Sequence, residues 1–191
     1  PAHYKRLWTP MPSSSRSRLR RLIVYAGCAV AVEYDELRGA RLVEFLFRHA
    51  PQQPALPPEI AYRLRWFEAS GRLGLYRDGQ LIYLGTAEGA LAEILQGEVC
   101  RHLAERGRGG LLFHAACARL GEQALILPGE SAAGKSTLAA WLTTQGYSYL
   151  SDELAFIPCG SLEVQPLIRP LSLKRPSQAA LAPYLDWGAL Q

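Results

Sequence analysis

The chain has 191 residues, 49% of them hydrophobic and 20% charged, with a net charge of +4. Those proportions belong to globular proteins and exclude both wholesale disorder and a bundle of membrane helices. The four cysteines, at 28, 100, 117 and 159, form no Cys-x-x-Cys pair, which excludes zinc-ribbon and thioredoxin spacings and points to reduced, mostly buried thiols.

Residues 1–18 are rich in turn formers, such as Thr9-Pro10-Met11-Pro12, and are read as a loose arm. Arg16, Arg18, Arg20 and Arg21 are the densest basic cluster, read as a solvated segment, so no nucleic-acid partner is expected. Arg20, Arg21 and the apolar run Leu22 to Val32, with Ala26-Gly27-Cys28 inside it, imitate a secretory leader. The run is too short to span a bilayer and is read as one buried β-strand. No membrane partner is expected, and the location is read as cytoplasmic.

Leu37, Leu42, Val43, Phe45, Leu46 and Phe47 recur at helical spacing, giving a helix that ends before Pro51; residues 51–58 are read as a loop. Between Tyr62 and Leu84, short apolar runs broken at Ser70-Gly71 and Asp78-Gly79 predict two or three antiparallel strands. From Thr86, read as an N-cap, Leu91, Ile94, Leu95, Val99 and Leu103 trace the core face of a helix lasting to about Arg106. Gly107 to Gly110 then divides an α+β module over 19–106 from a nucleotide-binding core over 107–191. Leu111 to Arg119 and Gln123 to Leu127 predict a hairpin that feeds the next loop.

That loop carries the most specific signal in the chain. Gly129, Glu130, Ser131, Ala132, Ala133, Gly134, Lys135 and Ser136 satisfy the Walker A spacing Gly-x4-Gly-Lys-Ser/Thr, which arises by chance in under about one chain of this length in a hundred. A strand over 124–127 enters it, and a helix from Lys135 to Gln145 leaves it, closed by Gly146 and buried through Leu138, Trp141 and Leu142. The spacing predicts a P-loop from Gly129 to Thr137 whose amides cradle phosphates, with Lys135 reaching the β- and γ-phosphates and the Ser136 hydroxyl on Mg²⁺. No Asn-Lys-x-Asp base-reading motif is present, so ATP is taken as the nucleotide.

Tyr147 to Leu150 is read as a second strand, and Asp152 and Glu153 follow it directly. Ligands in open α/β sheets sit beyond the carboxyl ends of parallel strands, so these acids are expected to face the same crevice as the loop. A Walker-B-like pair and a kinase pair, with one acid taking a hydroxyl proton, are both compatible with the position.

Phe113-His114-Ala115-Ala116, then Gly129 to Thr137, then Gly146 and Ser151-Asp152-Glu153 together resemble the catalytic core of HPr kinase/phosphorylase, and especially its shorter HprK-related kinases. The resemblance covers about residues 111–174. It implies an α/β P-loop kinase core akin to phosphoenolpyruvate carboxykinase, and transfer of the γ-phosphoryl group to a serine-type hydroxyl. By position it implies Asp152 as the base, Glu153, where the family has a second aspartate, in a metal or base-supporting role, and His114 near the transferring phosphate. Arg169, in an Arg-Pro-Leu-Ser-Leu-Lys stretch, is implied as a phosphate clamp, the alternative being an exposed loop arginine. Relatives continue past the position of Gln191, so the core is read as C-terminally incomplete or completed from elsewhere.

The expected activity is a Mg·ATP-dependent kinase acting on a hydroxyl of a peptide, protein or small metabolite, with homo-oligomerisation left open. The alternatives are a nucleotide-dependent regulatory module and a plain NTPase.

Overall fold

The computed structural model describes residues 19–35, 37–50 and 56–185; the loose-arm reading of residues 1–18 and the loop reading of 51–55 fall outside these. The protein is mixed α/β, with two sheets and four helices among the described residues.

The first sheet has the order β1-β2-β3-β4-β5. It is formed by β1 (Leu19–Tyr25), β2 (Cys28–Tyr34), β3 (Ile60–Phe67), β4 (Arg72–Arg77) and β5 (Gln80–Gly85). The apolar run expected to make one strand makes two. Ala26 and Gly27 adopt positive φ (49° and 70°) and fold it into a β1–β2 hairpin, the tight reversal for which a glycine is suited. Helix α1 (Leu37–Phe47) is the crossover that lets β2 and β3 pair in parallel. The Asp78-Gly79 turn joins β4 and β5 as expected.

Helix α2 (Glu88–Arg106) packs on this sheet through Leu91, Leu95, Val99 and Leu103, all fully buried. Its N-cap is Ala87 and not Thr86; the helix simply begins one residue later. Glu98 fastens the helix to the sheet, accepting from Arg77 on β4 at 3.2 Å and from its helical neighbour Arg101 at 2.6 Å.

The second sheet runs β10-β9-β6-β7, with β8 also paired to β6. Its strands are β6 (Gly110–Leu120), β7 (Gln123–Pro128), β8 (Ser148–Ser151), β9 (Leu154–Pro158) and β10 (Gln165–Pro166). Helix α3 (Lys135–Thr144) lies on β6 and β8, and α4 (Arg175–Leu181) packs on α3. Leu138 and Trp141, expected to bury α3, are 42% and 36% exposed; Ala139, Ala140 and Leu142 face inward instead. Helix α3 packs on β6, whose residues 115–118 are small and fully buried, and a helix turns its small side chains toward a strand it approaches closely.

The apolar core of the first sheet continues through Tyr25 into Leu154, Phe156 and Leu167. The Tyr25 hydroxyl donates to the Gln165 carbonyl at 2.9 Å and lies 3.3 Å from that of Leu154, and its ring tilts against Phe156 at 6.0 Å. Replacing Tyr25 by Phe keeps the packing and removes the donor, so unfolding in urea should lose about 1 kcal/mol and remain a single transition.

Burial pushes the Glu98 carboxyl up, but the Arg101 and Arg77 guanidiniums outweigh it and hold the group below its ordinary value of 4.5. A depressed carboxylate contributes stability that is complete above that value and is lost as pH falls through the folded-state pKa. Glu98→Gln should therefore lower stability at neutral pH and flatten the fall in stability below about pH 4.5, read as unfolding midpoints across an acid series.

Candidate functional site

Strands β7 and β8 both run antiparallel to β6 and hence parallel to one another, one on each edge of β6. β7 ends with Pro128 opposite Ala115, and β8 ends with Ser151 opposite Cys117. The glycine-rich loop after β7 and the acids after β8 therefore emerge side by side, with His114 of β6 beside them. The expected common crevice is formed, although by two parallel strands separated by an antiparallel one.

Asp152 and Glu153 do not terminate a strand outright. β8 and β9 share one register along the same edge of β6, Cys117 opposite Ser151 and His114 opposite Leu154, and the Ala115 amide donates to the Glu153 carbonyl at 3.1 Å. The acids occupy a bend inside this long ladder. Ser151 produces it: its buried Oγ accepts from the amides of Glu153 (3.2 Å) and Leu154 (3.1 Å), a side-chain turn that competes with the regular ladder. A register shift between Cys117 and Ala118 bends the strand again one turn earlier, and such bulges re-aim neighbouring side chains.

Among the described residues, the cleft between the loop and these acids has a volume of about 440 Å³. One wall is Ser131, Ala132, Gly134, Lys135, Ser136 and Thr137; the other is His114, Asp152, Glu153 and Arg169; the rim is Ser172, Lys174, Pro176 and Ser177. Of the loop residues, Gly129, Glu130 and Ala133 belong to the turn but do not line the cleft.

The loop backbone is shaped for an anion. Ala132 and Gly134 take positive φ (67° and 88°), and Gly134 precedes α3 without any side-chain cap. Alternating backbone signs turn successive amides to one side, and the first amides of the helix lack intrahelical acceptors, which together make a site of positive potential. Lys135 folds back to donate its Nζ to the carbonyls of Gly129 (2.8 Å) and Glu130 (2.9 Å). It closes the loop into a ring and places a cation beside it. Thr137, also on the cleft wall, donates its Oγ1 to Ser177 Oγ at 2.7 Å and joins α3 to α4.

Opposite the loop stands a buried ion cluster. Arg169 donates Nε to Asp152 Oδ1 at 2.9 Å and Nη2 to Glu153 Oε2 at 2.8 Å, and the Tyr149 hydroxyl donates to the same Asp152 oxygen at 2.9 Å. The side chains of Arg169 and Asp152 are 11% and 1% exposed, so the exposed-loop alternative for Arg169 is corrected; its guanidinium bridges the two acids. Burial lowers the Arg169 pKa, but its negative surroundings, Asp152 foremost and then Cys100 and Glu153, together outweigh burial and hold it above the usual guanidinium value. Burial and then the Asp152 charge push the Tyr149 phenol upward, so it is a hydrogen-bond donor at all ordinary pH. His114 is open to solvent, with Nε2 3.5 Å from Glu153 Oε1.

Sequence reasoning named Lys135, Ser136, Asp152, Glu153, His114 and Arg169, and these lie in one cleft. It missed Tyr149, Ser151, Lys174 and Ser177. No strand alternation signals Tyr149: it lies three residues before Asp152 and reaches it only because the ladder is irregular there, a local bend that the spacing does not reveal. Ser136 and Glu153 both line the cleft and offer hard oxygen donors of the kind magnesium takes.

Removing Arg169 leaves two carboxylates together, one of them deeply buried. Arg169→Ala should cost about 3–5 kcal/mol of stability in denaturant unfolding, and Asp152→Asn in the same chain should recover more than about 1 kcal/mol of it.

Comparison of the chain with protein-family models, with curated proteins and with solved structures found no match.

Proposed function

We propose that the protein is a Mg·ATP-dependent kinase that transfers the γ-phosphoryl group to a hydroxyl of a peptide, protein or small metabolite. The observation that carries this reading is the convergence of a Gly-x4-Gly-Lys-Ser loop and a carboxylate pair on one cleft, from parallel strands on either edge of the strand bearing His114. The ordered resemblance to HPr kinase/phosphorylase and the HprK-related kinases, set out above from the same residues, supports it. The loop and Lys135 hold the triphosphate; Ser136 and Glu153 hold magnesium, which neutralises charge on the β- and γ-phosphates when bound.

Phosphoryl transfer asks little covalent chemistry of a protein and much positioning. The acceptor oxygen attacks the γ-phosphorus in line, its proton passes to Asp152, the new O–P bond forms and the bond to the bridging oxygen breaks, releasing ADP. Tyr149 and Arg169 both donate to Asp152 Oδ1, so Oδ2 is the oxygen assigned to the proton. Arg169 and Tyr149 hold Asp152 in one orientation, and His114 stands beside Glu153 to contact the transferring group.

One contact favours a second reading, a nucleotide-dependent binding module with little transfer: Arg169 already bonds both acids, so nucleotide occupancy could act by redistributing that pair. The two readings part in one experiment. γ-Labelled ATP incubated with the protein and host lysate should label an acceptor, and Asp152→Asn should reduce that label by about 10²–10⁴-fold while Mg·ATP still binds. Unchanged labelling in Asp152→Asn would sink the catalytic assignment; nucleotide-dependent partner capture without label would establish the module.

A further inference from the structure

A second cluster of chemistry-bearing side chains lies in the first sheet, outside the cleft. Cys28 opens β2, Glu59 stands directly before β3, and His102 lies near the end of α2. Each offers one ligand atom, and the three atoms lie within 4.8 Å of one another. Backbone contacts bring them there. The Glu59 amide donates to the Ala29 carbonyl at 2.8 Å, and the Arg108 amide, just past α2, donates to the Ala26 carbonyl at 2.8 Å. The β1–β2 turn is held close against this point: a Cβ on Gly27 would meet the Arg108 carbonyl oxygen at 3.1 Å.

Two features of these residues ask for a ligand. His102 Nε2 is buried without a hydrogen-bond partner, and a buried polar atom in that condition needs an explanation. Cys28 is fully buried, and its sulfur lies within 4.8 Å of both the imidazole and the Glu59 carboxylate. A cation between the three groups would satisfy the imidazole nitrogen, stabilise the thiolate and neutralise the carboxylate together.

We propose that Cys28, Glu59 and His102 bind a zinc-class divalent transition metal, with a fourth position open to water or a further ligand. Thiolate and imidazole donors select zinc or cobalt over magnesium and calcium. A tetrahedral centre with ordinary zinc bond lengths holds its ligand atoms roughly 3.3–3.8 Å apart, so atoms that already lie within 4.8 Å of one another need at most about 1.5 Å of closure. Binding releases the Cys28 thiol proton to solvent, and Cys28 ligates as thiolate. Arg108 donates to Glu59 Oε1 at 2.7 Å, leaving the other oxygen for the metal and orienting the carboxylate as outer-shell partners do. The metal ties the β1–β2 turn, the start of β3 and the end of α2 at one point. None of these residues lines the cleft, so this assignment stands apart from the kinase reading.

The test uses untagged, chelator-stripped full chain titrated with Co²⁺ as the probe. Saturation at one ion per chain is expected, with thiolate-to-cobalt charge-transfer absorption, tetrahedral-type visible bands and displacement by Zn²⁺. Cys28→Ser should abolish the charge-transfer band, and His102→Gln and Glu59→Gln should each weaken binding by more than about 10-fold. Glu59 is exposed, so Glu59→Gln reports on the site even where the buried Cys28 variant misfolds. Zn²⁺ should also raise the thermal midpoint of the stripped wild type and leave that of Glu59→Gln nearly unmoved. A wild type without the charge-transfer band, a band that survives in a folded Cys28→Ser protein, or wild-type affinity in Glu59→Gln overturns the proposal.

Discussion

Strand β6 gives one edge to β7 and the other, end to end, to β8 and β9, and the placement of the loop, the two acids and His114 follows from that division. Because β7 and β8 run the same way, their ends open on the same side, and the loop and the acids meet without any contact between their strands. The same strand carries His114 where the two ends converge. Ala115 to Ala118 are all fully buried, so this part of β6 is covered on both faces and cannot drift. Its small side chains let α3 lie close, and α3 in turn fixes where Gly134 and Lys135 begin the helix.

The second constraint is electrostatic. Two carboxylates from adjacent positions sit in a bend of the ladder, one of them almost wholly removed from water. Such a pair persists only with a cation against it, and Arg169 reaches both. Tyr149 adds a donor whose proton does not leave at ordinary pH, so Asp152 is held in one orientation from two directions. Geometry of this kind costs stability elsewhere, in a buried ion cluster that a hydrophobic replacement would outperform. It is retained where a site needs a charge kept ready, as phosphoryl chemistry does.

Much of this was legible in the chain. The helix over 37–47, the Asp78-Gly79 hairpin, the core face of α2 and the β6–β7 hairpin each follow from local periodicity and turn chemistry, which act over a few residues. The β1–β2 reversal was not legible because Ala26-Gly27 interrupts the apolar run by only two residues, and a small Ala-Gly pair reads as strand as readily as turn. The outward placement of Leu138 and Trp141 was missed because it depends on alanines more than fifteen residues earlier in the sequence. Arg169 likewise meets its acids across a loop, and the Cys28, Glu59 and His102 cluster assembles from three separate elements. Long-range pairings of that kind leave no spacing to recognise.

The central claim is that the cleft holds a triphosphate through the loop and a metal through the acid side, and calorimetric titration of ATP measures it most directly. A site built this way binds one ATP per chain with Mg²⁺ present, binds it much more weakly with the metal chelated, and loses it in Lys135→Ala while the fold is kept. Absence of binding in the wild type, or binding that neither Mg²⁺ removal nor Lys135→Ala alters, would contradict it.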